Sequence, residues 1–108
     1  MAAGDSAGLR RNNLSIDVEK LVAGQARAEF FALYVDQEDH SDPLAYCLLM
    51  LDRFYQELAQ NADTLQYAGS YEDLARAAKQ QKIAAFLAVE EGGVLQGNPA
   101  NLRILYRL

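Results

Sequence analysis

The sequence predicts a parallel α/β fold that is part of a larger unit. Three observations lead there. Two short apolar runs, residues 28–35 and 83–89, have the length and continuity of strands buried on both faces. An apolar stripe at helical spacing lies between them, over residues 44–58. The resulting order is strand, helix, helix, strand, helix, which implies parallel strands. Two strands are too few to close a sheet or cover their own edges.

The elements follow in order. Residues 1–14 show no period and are punctuated by Gly4, Asp5, Ser6, Gly8, Asn12 and Asn13, so an irregular start is expected. Asp17 can cap a short helix over residues 18–23, with Glu19 in its first turn and Gly24 stopping it. The first apolar run carries Phe30, Phe31, Leu33, Tyr34 and Val35 and ends in an acidic turn, residues 36–42. Asp42-Pro43 then starts a helix, with Asp as N-cap and Pro at the first helical position. Leu44, Cys47, Leu48, Leu51, Phe54, Tyr55 and Leu58 form its apolar stripe, while Asp52, Gln56 and Gln60 lie off it. This helix should fray near residues 61–63.

Ser70 caps a second helix over residues 71–80, with Asp73 at the capping-box position that Glu or Gln usually holds. Lys79 lies in its last turn, where a cation is favoured. The run 83–89 follows and leads into Glu90-Glu91-Gly92-Gly93. Asn98-Pro99 opens a last helix, expected to turn Leu102, Leu105 and Tyr106 inward.

Composition narrows the function classes. A chain of 108 residues suffices for one domain, so residues 1–108 are read as a single, partial domain. The net charge of −5 disfavours nucleic acid and anionic membrane as partners, because both reward basic patches. One cysteine, Cys47, builds neither a disulfide framework nor a thiolate zinc site. No apolar run approaches the roughly 20 residues of a membrane helix. The start of the chain has no apolar secretion core. A cytoplasmic, reducing setting is therefore expected.

The segment Val89-Glu90-Glu91-Gly92-Gly93 is where chemistry is expected. In parallel α/β folds, sites form at the carboxyl ends of strands. Glu90 falls at such an end, and the glycines after it let a ligand or backbone approach closely. A carboxylate emerging from a buried run is costly unless it is paired or bound to a metal. On spacing alone, a solvated turn at Glu90 and Glu91 is the better-supported reading, because a strand followed by Glu-Glu-Gly-Gly is a weak motif.

Ile83-Ala84-Ala85-Phe86-Leu87-Ala88-Val89-Glu90-Glu91-Gly92-Gly93-Val94-Leu95, followed by Leu102-Arg103-Ile104-Leu105-Tyr106, resembles the membrane (renal) dipeptidase family of zinc metallopeptidases. Residues 9–21 and 23–36 are similar to that family's segment before and through its second barrel strand. The resemblance is weakest over residues 37–70. It implies a fragment of a (β/α)8 barrel of the TIM type, two zinc ions bridged by a glutamate, and dipeptides as substrates. The bridging glutamate maps onto Glu90, because the spacing from there to Leu95 then needs no gap, whereas aligning on the two glycines would give Glu91; Glu91 and Asp36 are otherwise site-adjacent residues. The family's histidine and aspartate on its first strand should precede Leu9 and are absent. Its later histidines should follow Leu108 and are absent too. The resemblance therefore implies an incomplete metal site, with no catalytic residue in this chain, weak zinc binding and no activity alone.

Other residues carry plainer expectations. His40, the only histidine, sits among carboxylates in a turn and reads as a loop residue. Cys47 lies on the helical stripe and reads as a small buried hydrophobe. The aromatics fit core packing. Asp36 ends the first strand and reads as a turn residue or, in a barrel, as a group facing the site. A non-catalytic α/β binding or oligomerisation module is the alternative function. Exposed strand edges in an incomplete barrel predict self-association or aggregation.

Overall fold

The computed structural model describes residues 8–108. Its first helix is organised by a carboxylate. Asp17 caps α1 (Val18–Ala23), accepting the Lys20 N–H at 2.7 Å on one oxygen and the Asn12 N–H at 3.0 Å on the other. Asp17 is only 2% exposed, and the Lys20 ammonium lies 3.4 Å from it. The Lys20 backbone bond, then the Asn12 bond, hold its carboxyl below the usual carboxylate range, against the opposing effect of burial.

The chain then forms β1 (Ala28–Leu33), α2 (Pro43–Gln60), β2 (Leu65–Tyr67), α3 (Tyr71–Lys79) and β3 (Ile83–Val89). A 3-10 turn over Gly92–Leu95 and α4 (Pro99–Tyr106) complete it. The helix starts are those the capping residues dictate. Asp42 accepts the Ala45 N–H at 3.1 Å, and Pro43 occupies the first turn of α2. Ser70 accepts the Asp73 N–H at 3.2 Å, while the Asp73 carboxylate reaches back to the Gly69 N–H at 2.9 Å. Asp, shorter than Glu, thus satisfies the donor one residue before the cap. Asn98 accepts the Ala100 N–H at 3.0 Å to start α4.

All strands are parallel, in the order β1-β3-β2. β3 is the central strand. It pairs with β1 along its length, from Ala28↔Ala84 to Leu33↔Val89, and with β2 only over Ile83, Ala84 and Ala85. This is an open three-stranded α/β sheet with helices on both sides, an arrangement compatible with a piece of an α/β barrel.

Three expectations are corrected. First, there are three strands, not two. β2 has only three residues and no alternating signal of its own; it exists because Ile83 donates to the Thr64 carbonyl and Ala68 to the Ala85 carbonyl, bonds to a distant segment. Second, the first strand is not buried on both faces. Phe31 and Leu33 are buried, whereas Phe30 is 66% exposed and Tyr34 51%. On that second face, α3 covers only the first part of β3, packing Ala77 and Leu74 near Ala84. Third, α4 turns only Leu105 inward. Leu102 is 54% exposed and Tyr106 88%, because α4 touches the fold through one row of side chains.

The stripe of α2 is likewise only half covered. Cys47, Leu51 and Phe54 are buried, while Leu48 and Tyr55 face solvent. Phe54 anchors the main core with Val18, Phe31, Leu65 and Ile83, its ring centroid 5.5 Å from that of Phe31. α2 also buries a charge. Glu57 is 4% exposed and accepts the Leu9 N–H at 3.1 Å, the Arg53 guanidinium at 3.1 Å and the Asn61 amide at 3.4 Å. This network pins the N-terminal segment to the helix. Among the described residues no helix is long and apolar enough to cross a membrane.

Phe54→Ala should lower the unfolding free energy by about 3–5 kcal/mol, the usual cost of a large core deletion. Leu49→Ala, at a side chain 68% exposed, should stay within about 0.5 kcal/mol. Urea denaturation of both variants measures the difference. The depressed Asp17 carboxyl adds stability above the ordinary carboxylate value, lost as pH falls through its lower folded value. Asp63, held down first by Arg10, and Asp73, held down first by the Gly69 N–H, act in the same direction. The denaturation midpoint should hold from pH 7 to about pH 5 and fall toward pH 2. Asp17→Asn, which keeps a capping oxygen, should weaken that dependence.

Candidate functional site

The carboxyl ends of β1 and β3 lie side by side because the two strands are parallel and in register. The loops leaving them therefore meet, and they bring Asp36, Gln37, Asp42, Glu90, Glu91 and Gly93 to one end of the sheet. Hydrogen bonds lace the two loops together. Gln37 Nε2 donates to Glu91 Oε1 at 3.3 Å, and Gln96 Nε2 donates to Asp42 Oδ1 at 3.1 Å. Beneath them, Val35, Cys47 and Val94 are fully buried and pack together.

Within this frame the two adjacent glutamates differ. Glu91 Oε1 accepts the Gly93 N–H at 2.9 Å and so caps the 3-10 turn. One of its carboxylate oxygens is committed to local structure. Glu90 is exposed, and its carboxylate has no hydrogen-bond or ion-pair partner among the described residues. Its backbone, however, is fixed: the Glu90 N–H donates to the Leu33 carbonyl at 3.2 Å, one rung beyond the last strand pair. By strand alternation Glu90 falls on the side of Phe86 and Ala88, the face where Phe86 stacks on Phe30 at 4.9 Å. The expected burial cost is not the reason for its position. Val89 is already 40% exposed, so Glu90 leaves the strand into solvent.

The other singled-out residues have local roles. Asp36 Oδ1 accepts the Glu38 N–H at 3.0 Å and shapes the turn after β1. His40 stacks on Tyr46 with ring centroids 3.8 Å apart. Burial pushes the Cys47 thiol up, away from nucleophilic thiolate character. Gln37 and Gln96 carried no sequence signal, since a loop glutamine has no spacing that marks it. Gly93 did carry one: a Cβ there would sit 1.7 Å from Gln37 Nε2, so the glycine makes room for the bridge.

An apolar groove of about 500 Å³ opens beside the site, between β3 and α4. Leu87, Val89, Leu105 and Tyr106 line it, and Glu90 does not. Tyr67 donates its hydroxyl to the Leu108 carbonyl at 2.9 Å at its margin. Beyond Ala85, the edge of β3 on this side carries no strand among the described residues.

A strand-end glutamate, an apolar run before it and glycines after it are thus built into one end of a parallel sheet. A sequence model of the family described as membrane dipeptidase (Peptidase family M19) matches residues 5–108. The chain belongs to that family. The membrane dipeptidases are a metallopeptidase family, and the match covers nearly all of the chain. No curated protein matches the chain in a sequence comparison. Among the described residues, no three His, Cys, Asp or Glu side chains converge as a metal site. At the end of β3, the described residues offer the unengaged carboxylate of Glu90 and no complete metal donor set.

Proposed function

We propose that this chain is a segment of a zinc-dependent dipeptidase in which Glu90 is a metal ligand. The observation that carries this reading is the contrast between Glu90 and Glu91. Of two neighbouring carboxylates at the end of β3, one is spent on capping and the other is held by its backbone and left open. An oxygen donor on a fixed backbone fits a single ligand position. It does not by itself make up a site, which needs several ligands and an open position.

In the intact enzyme, Glu90 would bridge two zinc ions within a (β/α)8 barrel. The bound dications would supply the Lewis acidity that activates water and polarises the peptide carbonyl. This chain's contribution is to fix the Glu90 backbone at the end of β3. The unpaired edge of β3 beyond Ala85 and the apolar groove beside it support the barrel, because both offer a place for a further strand. The substrates are dipeptides, as the family implies.

The 108-residue chain should not hydrolyse a dipeptide in the presence of added zinc. Turnover above that of a Glu90→Ala control would overturn this part. In the intact enzyme, Glu90→Ala should lower kcat/KM by more than the roughly 10–100-fold that loss of an outer-shell partner costs. Glu91→Ala should leave most of the activity. Equal losses in the two variants would count against the assignment.

A second reading, a non-catalytic binding or oligomerisation module, is favoured by one observation. Phe30, 66% exposed, stacks on Phe86 on a face of the sheet that α3 covers only in part, an uncovered apolar patch of the kind that marks an interaction site. On either reading the isolated chain should self-associate, and sedimentation velocity should show mass rising with concentration. A monodisperse monomer up to about 100 μM, well above typical μM association thresholds, would contradict this.

A further inference from the structure

Residues 9–19 trace a loop that closes on itself. The Val18 N–H donates to the Leu9 carbonyl at 2.9 Å and the Glu19 N–H to the Arg10 carbonyl at 3.3 Å, so the chain leaves and returns through one neck. Inside it, the Asn12 side chain donates to the Gly8 carbonyl at 3.0 Å and accepts the Leu14 N–H at 2.9 Å. The Lys20 ammonium reaches back from α1 into the loop. It donates to the Asn12 carbonyl at 3.2 Å and to the Leu14 carbonyl, and lies 3.4 Å from the buried Asp17 carboxylate. One cation thus gathers three oxygens around it. Outward ties are few. Leu9 enters the core and donates its N–H to Glu57, while Arg10 pairs with Asp63 and donates to Thr64 Oγ1 at 3.3 Å. Residues 13–16 are exposed. Compact loops whose ends meet, and which make few contacts with the core, are the segments that open locally at low cost.

We propose that residues 9–16 are a strap that opens and closes as one unit at the amino-terminal ends of the strands, clamped by the Lys20 ammonium. Arg10 places the strap there: it bonds to Thr64, whose carbonyl accepts the Ile83 N–H at the start of β3. The clamp belongs to the fixed body. α1 stays packed through the buried Val18 and Leu21, while Lys20 points from it into the strap. Asp17 is the pivot, because one of its oxygens caps α1 and the other holds the Asn12 N–H. Opening withdraws one core side chain, Leu9, and leaves the ladder between β1 and β3 intact. It uncovers Glu57 and the end of the core beside Phe54. An ammonium suits the task because its three donors serve oxygens from different parts of the strap, and its charge strengthens each contact. The strap lies at the opposite end of the sheet from Glu90 and does not depend on how that residue is read.

The test is amide hydrogen exchange of the 108-residue chain, read residue by residue by mass spectrometry at about 1 μM to limit self-association. The reporters are the Leu9, Asn12, Leu14, Val18 and Glu19 amides, each bonded within the strap or across its ties. In the unaltered chain they should share one protection factor, at least about tenfold below that of the β3 amides. Their exchange should barely respond to urea below the unfolding transition, whereas that of β3 should accelerate. In Lys20→Met, which keeps the length and removes the charge, the strap amides should exchange about tenfold faster, as loss of a charge-assisted bond implies, with β3 unchanged. Lys20→Arg should restore most of the protection. Strap and β3 amides with equal protection and equal urea dependence would overturn the separate unit. Unchanged strap exchange in Lys20→Met, equal acceleration of β3, or Lys20→Arg exchanging as fast as Lys20→Met would overturn the clamp.

Discussion

The parallel ladder between β1 and β3 is the constraint on which the other placements depend. Because the two strands run the same way and in register, their carboxyl ends coincide. The ladder continues one bond further, from the Glu90 N–H to the Leu33 carbonyl. Were the strands antiparallel, the loops carrying Gln37 and Glu91 would leave from opposite ends and could not touch. The helices secure this geometry from outside. α2 buries Phe54 against Phe31, and α3 sets Ala77 against Ala84, a contact small enough for helix and sheet to approach closely.

The same ladder explains how adjacent residues of identical chemistry come to differ. Glu90 inherits its direction from strand alternation, whereas Glu91 begins a new turn and takes its direction from the Gly93 N–H. A fixed backbone under a free carboxylate limits the entropy lost on binding to that of the side chain itself. A capping carboxylate has only its second oxygen to offer, since recruiting the first would leave the turn's N–H without a partner. Under the proposed reading, the backbone that carries the ligand is thus fixed by a main-chain hydrogen bond before any ion arrives.

Much of this was legible in the sequence, and the illegible part has one physical character. Asp17, Asp42-Pro43, Ser70 and Asn98-Pro99 mark helix starts because capping is a local interaction over three or four residues. The runs in β1 and β3 are visible for the same reason. β2 is not, because three residues acquire strand geometry only from β3. Glu57 is not, because its burial depends on Leu9, far away in the chain. Gln37 and its bond to Glu91 fall in this class too. The inward-facing aromatics of the apolar runs were overestimated because periodicity identifies a face without saying whether anything covers it. Phe30 and Tyr106 have the pattern of core residues and stand in solvent.

That uncovered face bears on the site. Phe30 and Phe86 stack on the side of the sheet to which alternation assigns Glu90, so the carboxylate stands at the rim of an apolar wall. Solvent screens such a carboxylate here. Covered by further structure, the same wall would exclude water and lower the local dielectric, strengthening the attraction between Glu90 and a dication. The exposed aromatics and the open carboxylate are therefore two aspects of one condition. Under the proposed reading, whatever buries Phe30 and Phe86 would also strengthen the hold of Glu90 on a dication, though the other ligands must still be supplied from elsewhere.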